Sequence, residues 1–294
     1  MRVALASLVC ILALSGCFLD QKEPTSGLKP GPTPYLGIVA LEDVSGYSES
    51  AAFYAGFTKR EETKAISRRA LAAAKFDPSR DGEPQCEFAE GAKSSEPAVP
   101  TTSISNPYLN VGVIGFGPAL QSTLQTVEAD ANNRYVAKLS PNLPGSAYQV
   151  IATGKSPIEK FADFVSLPED IGFPTANRVR FEDGLPLIQG NGITLEWDRP
   201  AIQNDENSLY VDLLAETDTQ WYQLHCKALE VAFGTSSSRL KWDLPQADIA
   251  KIPVTGAAAL YFMRAHVRGV ASSQVEVKFE GLRTQLAQVV IFNP

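Results

Sequence analysis

Residues Ile193–Pro200 read ITLEWDRP, and their side chains alternate in character. Ile193, Leu195 and Trp197 fall on one side of an extended chain, while Thr194, Glu196 and Asp198 fall on the other. A strand with one apolar and one polar side fits an antiparallel sheet that buries one face and wets the other. The same pattern recurs nearby. Leu209, Val211 and Leu213 keep the two-residue period, and so do Tyr222, Leu224, Cys226 and Ala228. Further on, Val275, Val277 and Phe279 alternate with Gln274, Glu276, Lys278 and Glu280. Residues 174–294 are therefore expected to form a C-terminal β-sandwich domain with Trp197 in its core. Trp242, in RLKWDLP, fits a core position or a binding position equally well.

Upstream, strand-like runs are closely spaced and bounded by turn residues. They cover Tyr35–Leu41, Ser50–Thr58, Tyr108–Phe116, Ser122–Glu128, Arg134–Leu139, Ala147–Thr153 and Ile158–Val165. Such spacing is typical of sandwiches and barrels, so residues 35–167 are expected to form an N-terminal β-rich domain. PEDIGFP, Pro168–Pro174, reads as the link between the two. Residues 62–76, ETKAISRRALAAAKF, carry helical spacing and end at Asp77-Pro78, which predicts one short helix. Residues 77–107, rich in Pro and Ser around Cys86, read as a long surface loop. The fold class that follows is mainly β, with two antiparallel β-sandwich domains. The 21 Gly, 20 Pro and 14 Phe agree better with turn-rich β architecture than with a helical bundle.

Two stretches resemble known patterns. ITLEWDRP resembles the strand of fibronectin type III domains in which a core Trp is followed shortly by Pro, and this implies an immunoglobulin-like sandwich. The opening MRVALASLVCILALSGC places Arg2 before an apolar run of about a dozen residues, too short to span a bilayer, and ends in Leu14-Ser15-Gly16-Cys17. That ending resembles the lipobox of bacterial lipoproteins. The resemblance implies a signal peptide over 1–16 and a mature chain that begins at an acylated, palmitate-bearing Cys17. Residues 17–34 would then hold the lipidated Cys and a flexible tether with four prolines. Phe18, where the sorting rule for inner-membrane retention places Asp, implies an outer-membrane lipoprotein.

A net charge of −7 argues against a general nucleic-acid binder. With only two histidines, His225 and His266, a His-rich metal centre and an HExxH site are excluded by count. The chain contains neither a G-x-S-x-G elbow nor a phosphate-cradling glycine loop with its Lys. The expected role is non-catalytic: an adhesive, ligand-binding or structural protein of the cell envelope. A carbohydrate-active or other hydrolytic envelope lipoprotein is the alternative. The expected partners are the membrane, through the lipid, and envelope proteins or glycans, with no cofactor and no metal.

Strand parity places Trp221, Gln223, His225 and Lys227 opposite the core, and places Phe262, Arg264, His266 and Arg268 outward on YFMRAHVRGV. If those strands adjoin, Trp221, His225, Lys227, Arg264, His266 and Arg268 form a basic, aromatic-flanked binding surface suited to acidic groups. The plainer and preferred reading is an ordinary solvated outer face of a sheet, or a face covered by the first domain. The test is geometric, since Trp221 and Arg264 must be exposed and within reach of each other. Asn204-Asp205-Glu206-Asn207 and the pair Asp130 and Asn132 carry oxygen ligands of the kind calcium takes, but polar turns explain them more simply. Export and acylation leave Cys86 and Cys226. The expectation is two free thiols rather than one disulfide, because Cys226 sits mid-strand on an apolar face.

Overall fold

A computed structural model describes residues 33–292, apart from residues 48, 60–82, 93–107, 120–122, 184, 190–191, 201–206, 234–237 and 273. The signal peptide expected over 1–16, Cys17, the expected tether as far as residue 32 and the helix expected over 62–76 lie outside the described residues. The molecule is mainly β, rich in antiparallel pairing and sandwich-like, as the alternation in the sequence requires.

One sheet of nine strands runs through both halves of the chain. Its N-terminal members are β1 (Tyr35–Gly46), β2 (Ser50–Lys59), β3 (Gln85–Ala92) and β6 (Tyr135–Leu139). Its C-terminal members are β11 (Leu187–Gln189), β13 (Asn207–Glu216), β14 (Gln220–Leu229), β16 (Gly256–Ala271) and β17 (Val275–Phe292). The order is β3-β14-β13-β16-β17-β1-β2-β6, with β11 also pairing β17. Two smaller sheets complete the fold. The first has the order β5-β4-β7-β8, from Gln125–Val127, Ile114–Pro118, Ala147–Ala152 and Phe161–Ser166. The second has the order β10-β9-β12-β15, from Val179–Arg180, Thr175–Ala176, Ile193–Asp198 and Arg239–Leu244. A four-residue helix α1, Gln246–Ile249, and a 3-10 turn over Glu230–Phe233 flank β15.

The 18-residue strand β17 explains the layout. It pairs antiparallel with β16 over its whole partner and parallel with β1 from Val275 to Leu286, without a break in register. Its odd-numbered side chains therefore all face one way. Val275, Val277 and Phe279 enter one core with Val39, Leu41, Phe53, Phe57 and Phe116. Ala287, Val289 and Ile291 enter a second core with Trp197, Val211, Leu213, Leu224, Trp242 and Phe262. Each half thus has its own small sheet and its own core, both on the same side of the shared long sheet.

Aromatic contacts fill both sandwiches. Phe53 stacks on Phe116 at 4.3 Å between ring centres, and Trp197 meets Phe262 edge-on at 5.0 Å. Where the chain leaves the first small sheet it passes directly over β17. A Cβ on Gly281 would lie 1.9 Å from the Ser166 carbonyl oxygen, so only glycine permits this crossing.

Two expectations are corrected. Within residues 77–107, expected to be loop, Gln85–Ala92 forms strand β3 and pairs antiparallel with β14. QCEFAEGA lacks the strong aliphatic period of a strand, and its partner supplies the order. Cys86 and Cys226, expected as free thiols, are register partners in that pair and form a disulfide. An apolar mid-strand position suits a buried thiol and a half-cystine alike, and only the pairing of β3 distinguishes them.

Candidate functional site

The basic surface expected from Trp221, His225, Lys227, Arg264, His266 and Arg268 does not assemble. Strand β13 lies between β14 and β16, so the two sets of residues are not neighbours. They also face opposite ways. On β14, Trp221, His225 and Lys227 do sit opposite Tyr222, Leu224 and Cys226, which enter the core. On β16 the parity is the reverse of the expected one, because Leu260 and Phe262 are core residues, and Arg264, His266 and Arg268 share their side. Tyr261, Met263 and Ala265 make the other side of β16 apolar as well, and this two-sided pattern hides the parity from the sequence. Packing of Phe262 against Trp197 decides it.

Individual contacts confirm the separation. Arg264 is 0% exposed and His225 only 3%. The His225 ring pairs with Asp212 through Nδ1 and Oδ1 and stacks on Tyr210 at 5.7 Å, while Gln223 Nε2 donates to the same carboxylate at 3.3 Å. Trp221 is half-buried and lies over Gly91, where an added Cβ would come within 2.5 Å of the ring. Arg268 is exposed and pairs with Asp163.

Arg264 instead belongs to a charged seam between the two cores. It stands opposite Arg283 in the β16–β17 register, and each guanidinium finds its own anions. Arg264 Nε and Nη2 donate to Glu230 Oε1 at 3.0 and 2.8 Å, and its Nη1 donates to the carbonyls of Glu169 and Asp170 at 3.0 and 2.8 Å. Asn207 Nδ2 donates to the other Glu230 oxygen at 3.4 Å. Arg283 pairs with Asp43 and lies 3.2 Å from Asp170. Asp43 also accepts the Asn142 and Leu143 backbone N–H groups. Buried charge survives only when it is paired and hydrogen-bonded in this way, and here the link at 169–170 is tied to the long sheet by it. The sequence carried a signal for this seam. It lies in Arg283, which follows Val277 and Phe279 at core parity on a cleanly alternating strand, whereas the two-sided β16 gives no such signal for Arg264.

A concave feature lies at one edge of the second sandwich. A cleft of about 600 Å³ is bounded by Pro84–Glu87 on the β3 side and by Lys241, Trp242 and Asp243 on β15, with Phe233 and Asp248 completing it. Trp242 is 2% exposed and lines this cleft, so it is a core residue at a candidate site. Phe233 contacts both Trp242 and Trp197 at 5.3 Å. The indole N–H of Trp242 has no acceptor among the described residues. On the rim, Lys241 pairs with Asp243 at 2.9 Å and Lys251 with Asp248 at 2.6 Å. Hydrogen bonds from Thr194 and then Lys241 hold the Asp243 carboxyl below the usual carboxylate range.

The two oxygen-rich runs behave as structure where they are described. Asp130 Oδ1 accepts the backbone N–H groups of Asn132 and Arg134, each at 2.8 Å, which makes a polar turn. Asn204, Asp205 and Glu206 lie outside the described residues, and Asn207 is buried against Glu230. Among the described residues no group of three His, Cys, Asp or Glu side chains is placed to hold a metal ion. The architecture and the cleft together describe a mainly β, sandwich-built protein with a cavity at a sheet edge. Comparison with protein-family models and with curated proteins finds no match for the chain.

Proposed function

We propose that this chain is a lipid-anchored protein of a bacterial cell envelope, placed at the outer membrane, whose role is ligand binding or structural rather than catalytic. The address comes from MRVALASLVCILALSGC, with Cys17 as the acylated residue. One acyl chain binds a membrane only marginally, so stable anchoring takes the several chains that lipoprotein processing adds.

The observation that carries the binding role is the edge cleft. It is large enough for a ligand, apolar at Phe233 and Trp242, and polar at Gln85, Glu87, Lys241, Asp243 and Asp248. The buried charges of the seam are committed to one another and to the backbone, which supports a mechanical role for them. The anchoring is tested in cells that express the full chain. Cys17→Ala is expected to abolish labelling by a fatty-acid probe and to release the protein from the membrane fraction. A variant that still labels and still sediments with membranes refutes the anchor.

A further inference from the structure

We propose that the outer face of the nine-stranded sheet is the docking surface for residues 62–76, the stretch that reads as a helix and lies outside the described residues. The outer face is the side opposite the two small sheets. It carries a third cluster of buried side chains: Ala40 on β1, Tyr210 on β13, Met263 and Ala265 on β16, and Leu282 on β17. Ile38, Tyr261 and Val267 pack against it, so every described member belongs to the sheet itself. Met263, Ala265 and Leu282 are nonetheless 1%, 0% and 1% exposed. An apolar sheet face reaches such exclusion from water only beneath another layer.

The route of the chain selects the occupant. Strand β2 ends at Lys59 and β3 begins at Gln85, and in the sheet order these strands stand seventh and first. Six inter-strand steps separate them, about 29 Å. The register adds a shift along the strands. Lys59 is level with Tyr35 and so with Val275 of β17. Gln85 is level with Lys227, Tyr210 and Met263, and so with Thr284 of β17. From Val275 to Thr284 is about 30 Å, which makes the crossing a diagonal of about 40 Å. Residues 60–84 can cover it with 62–76 as a helix of about 22 Å and the rest extended. The inner face is filled by the small sheets and their cores, which leaves the outer face for the crossing. The apolar band follows the same diagonal, from Ile38 and Ala40 through Leu282 and Ala265 to Tyr210. On a helix Ile66, Ala70, Ala73 and Ala74 share one side, and three alanines let it lie close to the sheet. Residues 93–107 make the return crossing to Tyr108, which bridges Thr58, but they are rich in Pro and Ser and carry no such stripe.

Met263 is a built-in probe, because the chain has 2 methionines and the other is Met1. The full chain in detergent is treated with hydrogen peroxide, and sulfoxide at Met263 is followed by mass spectrometry. Oxidation at least tenfold slower than in the urea-unfolded chain is expected. Ile66→Asp combined with Ala70→Asp should remove that protection at least tenfold, while Arg68→Ser, on the other side of the helix, should leave it intact. Thermal melts establish that the variants keep their cores. If the double variant does not fold, a benzophenone photocrosslinker at position 66 decides the matter, with peptides containing Met263, Ala265 or Leu282 as the expected partners. Met263 oxidised as fast as in the unfolded chain, protection that survives the double variant, an equal loss with Arg68→Ser, or crosslinks only to other surfaces each overturn the docking. Protection that falls on dilution assigns the cover to a second copy and overturns it too. So does protection that depends on residues 93–107, replaced by a Gly-Ser linker of equal length, and not on the Ile66 side. Fatty-acid labelling at Cys17 reads the anchor separately, so either result stands without the other.

Discussion

Replacing Glu230 by Ala tests the charged seam most directly. Arg264 and Glu230 are both fully excluded from solvent, and two of the guanidinium's donors go to one carboxylate oxygen. Hydrogen bonds to charged groups contribute about 1.5–3 kcal/mol each, so the two together set a loss of about 3–6 kcal/mol. Removing one partner of a buried pair costs about 3–5 kcal/mol by a separate route, because the other charge stays buried. Both estimates centre near about 4 kcal/mol, a large share of the ~5–15 kcal/mol that holds a domain folded. The backbone carbonyls of Glu169 and Asp170 still accept from Arg264, which keeps the loss from growing further.

Urea unfolding followed by tryptophan fluorescence suits the measurement, because Trp197 and Trp242 are both buried in the adjoining core. The double variant Arg264→Met with Glu230→Leu is expected within about 1–2 kcal/mol of the parent, since it buries no charge. The coupling energy from the full cycle is then several kcal/mol. A single-variant loss under about 1 kcal/mol, or a double variant that costs the sum of the singles, would refute the pairing.

Three further outcomes are expected. Cys86→Ser should lower stability by about 3–5 kcal/mol, since the disulfide joins residues 140 apart in the chain, and mass spectrometry of the parent should show two additional alkylations only after reduction. Arg178→Gly should raise stability by ~0.5 kcal/mol, because Arg178 is exposed and held at φ 70° in the two-residue turn between β9 and β10, where glycine relieves the left-handed backbone. A melting temperature below the parent's would speak against that turn.

The third concerns pH. Partial burial pushes the Asp130 carboxyl up, but hydrogen bonds from Arg134 and Asn132 outweigh it and hold the group below its ordinary value. A lowered carboxyl stabilises the fold above the unfolded-state value and loses that contribution as pH falls through the folded-state value. Asp130→Asn should therefore cost about 0.5–1 kcal/mol near neutral pH, with the difference closing in acid below the ordinary aspartate range. A penalty that persists unchanged in strong acid contradicts the assignment.

Much of this protein is written locally. A strand's side chains alternate whatever its neighbours are, so ITLEWDRP, Leu209–Leu213 and Val275–Phe279 announced strands and their buried faces, and Trp197 was legible as core. What could not be read was pairing. Strand β3 has little pattern of its own and exists because β14 offers it an edge, and the disulfide follows from that register. Strand β16 is apolar on both sides, so its parity, and with it the fate of Arg264, waited on Phe262 meeting Trp197. Glu230 and Asp43 drew no notice in the sequence because carboxylates are common, and only folding brings them to Arg264 and Arg283. Local patterning was enough for the strands, the mainly β class and the aromatic residues of the cores, because a two-residue period needs no distant partner to be visible. Which edges meet, which charges are buried and where a cleft is left open came from the assembled fold, because each depends on contacts between residues far apart in the chain.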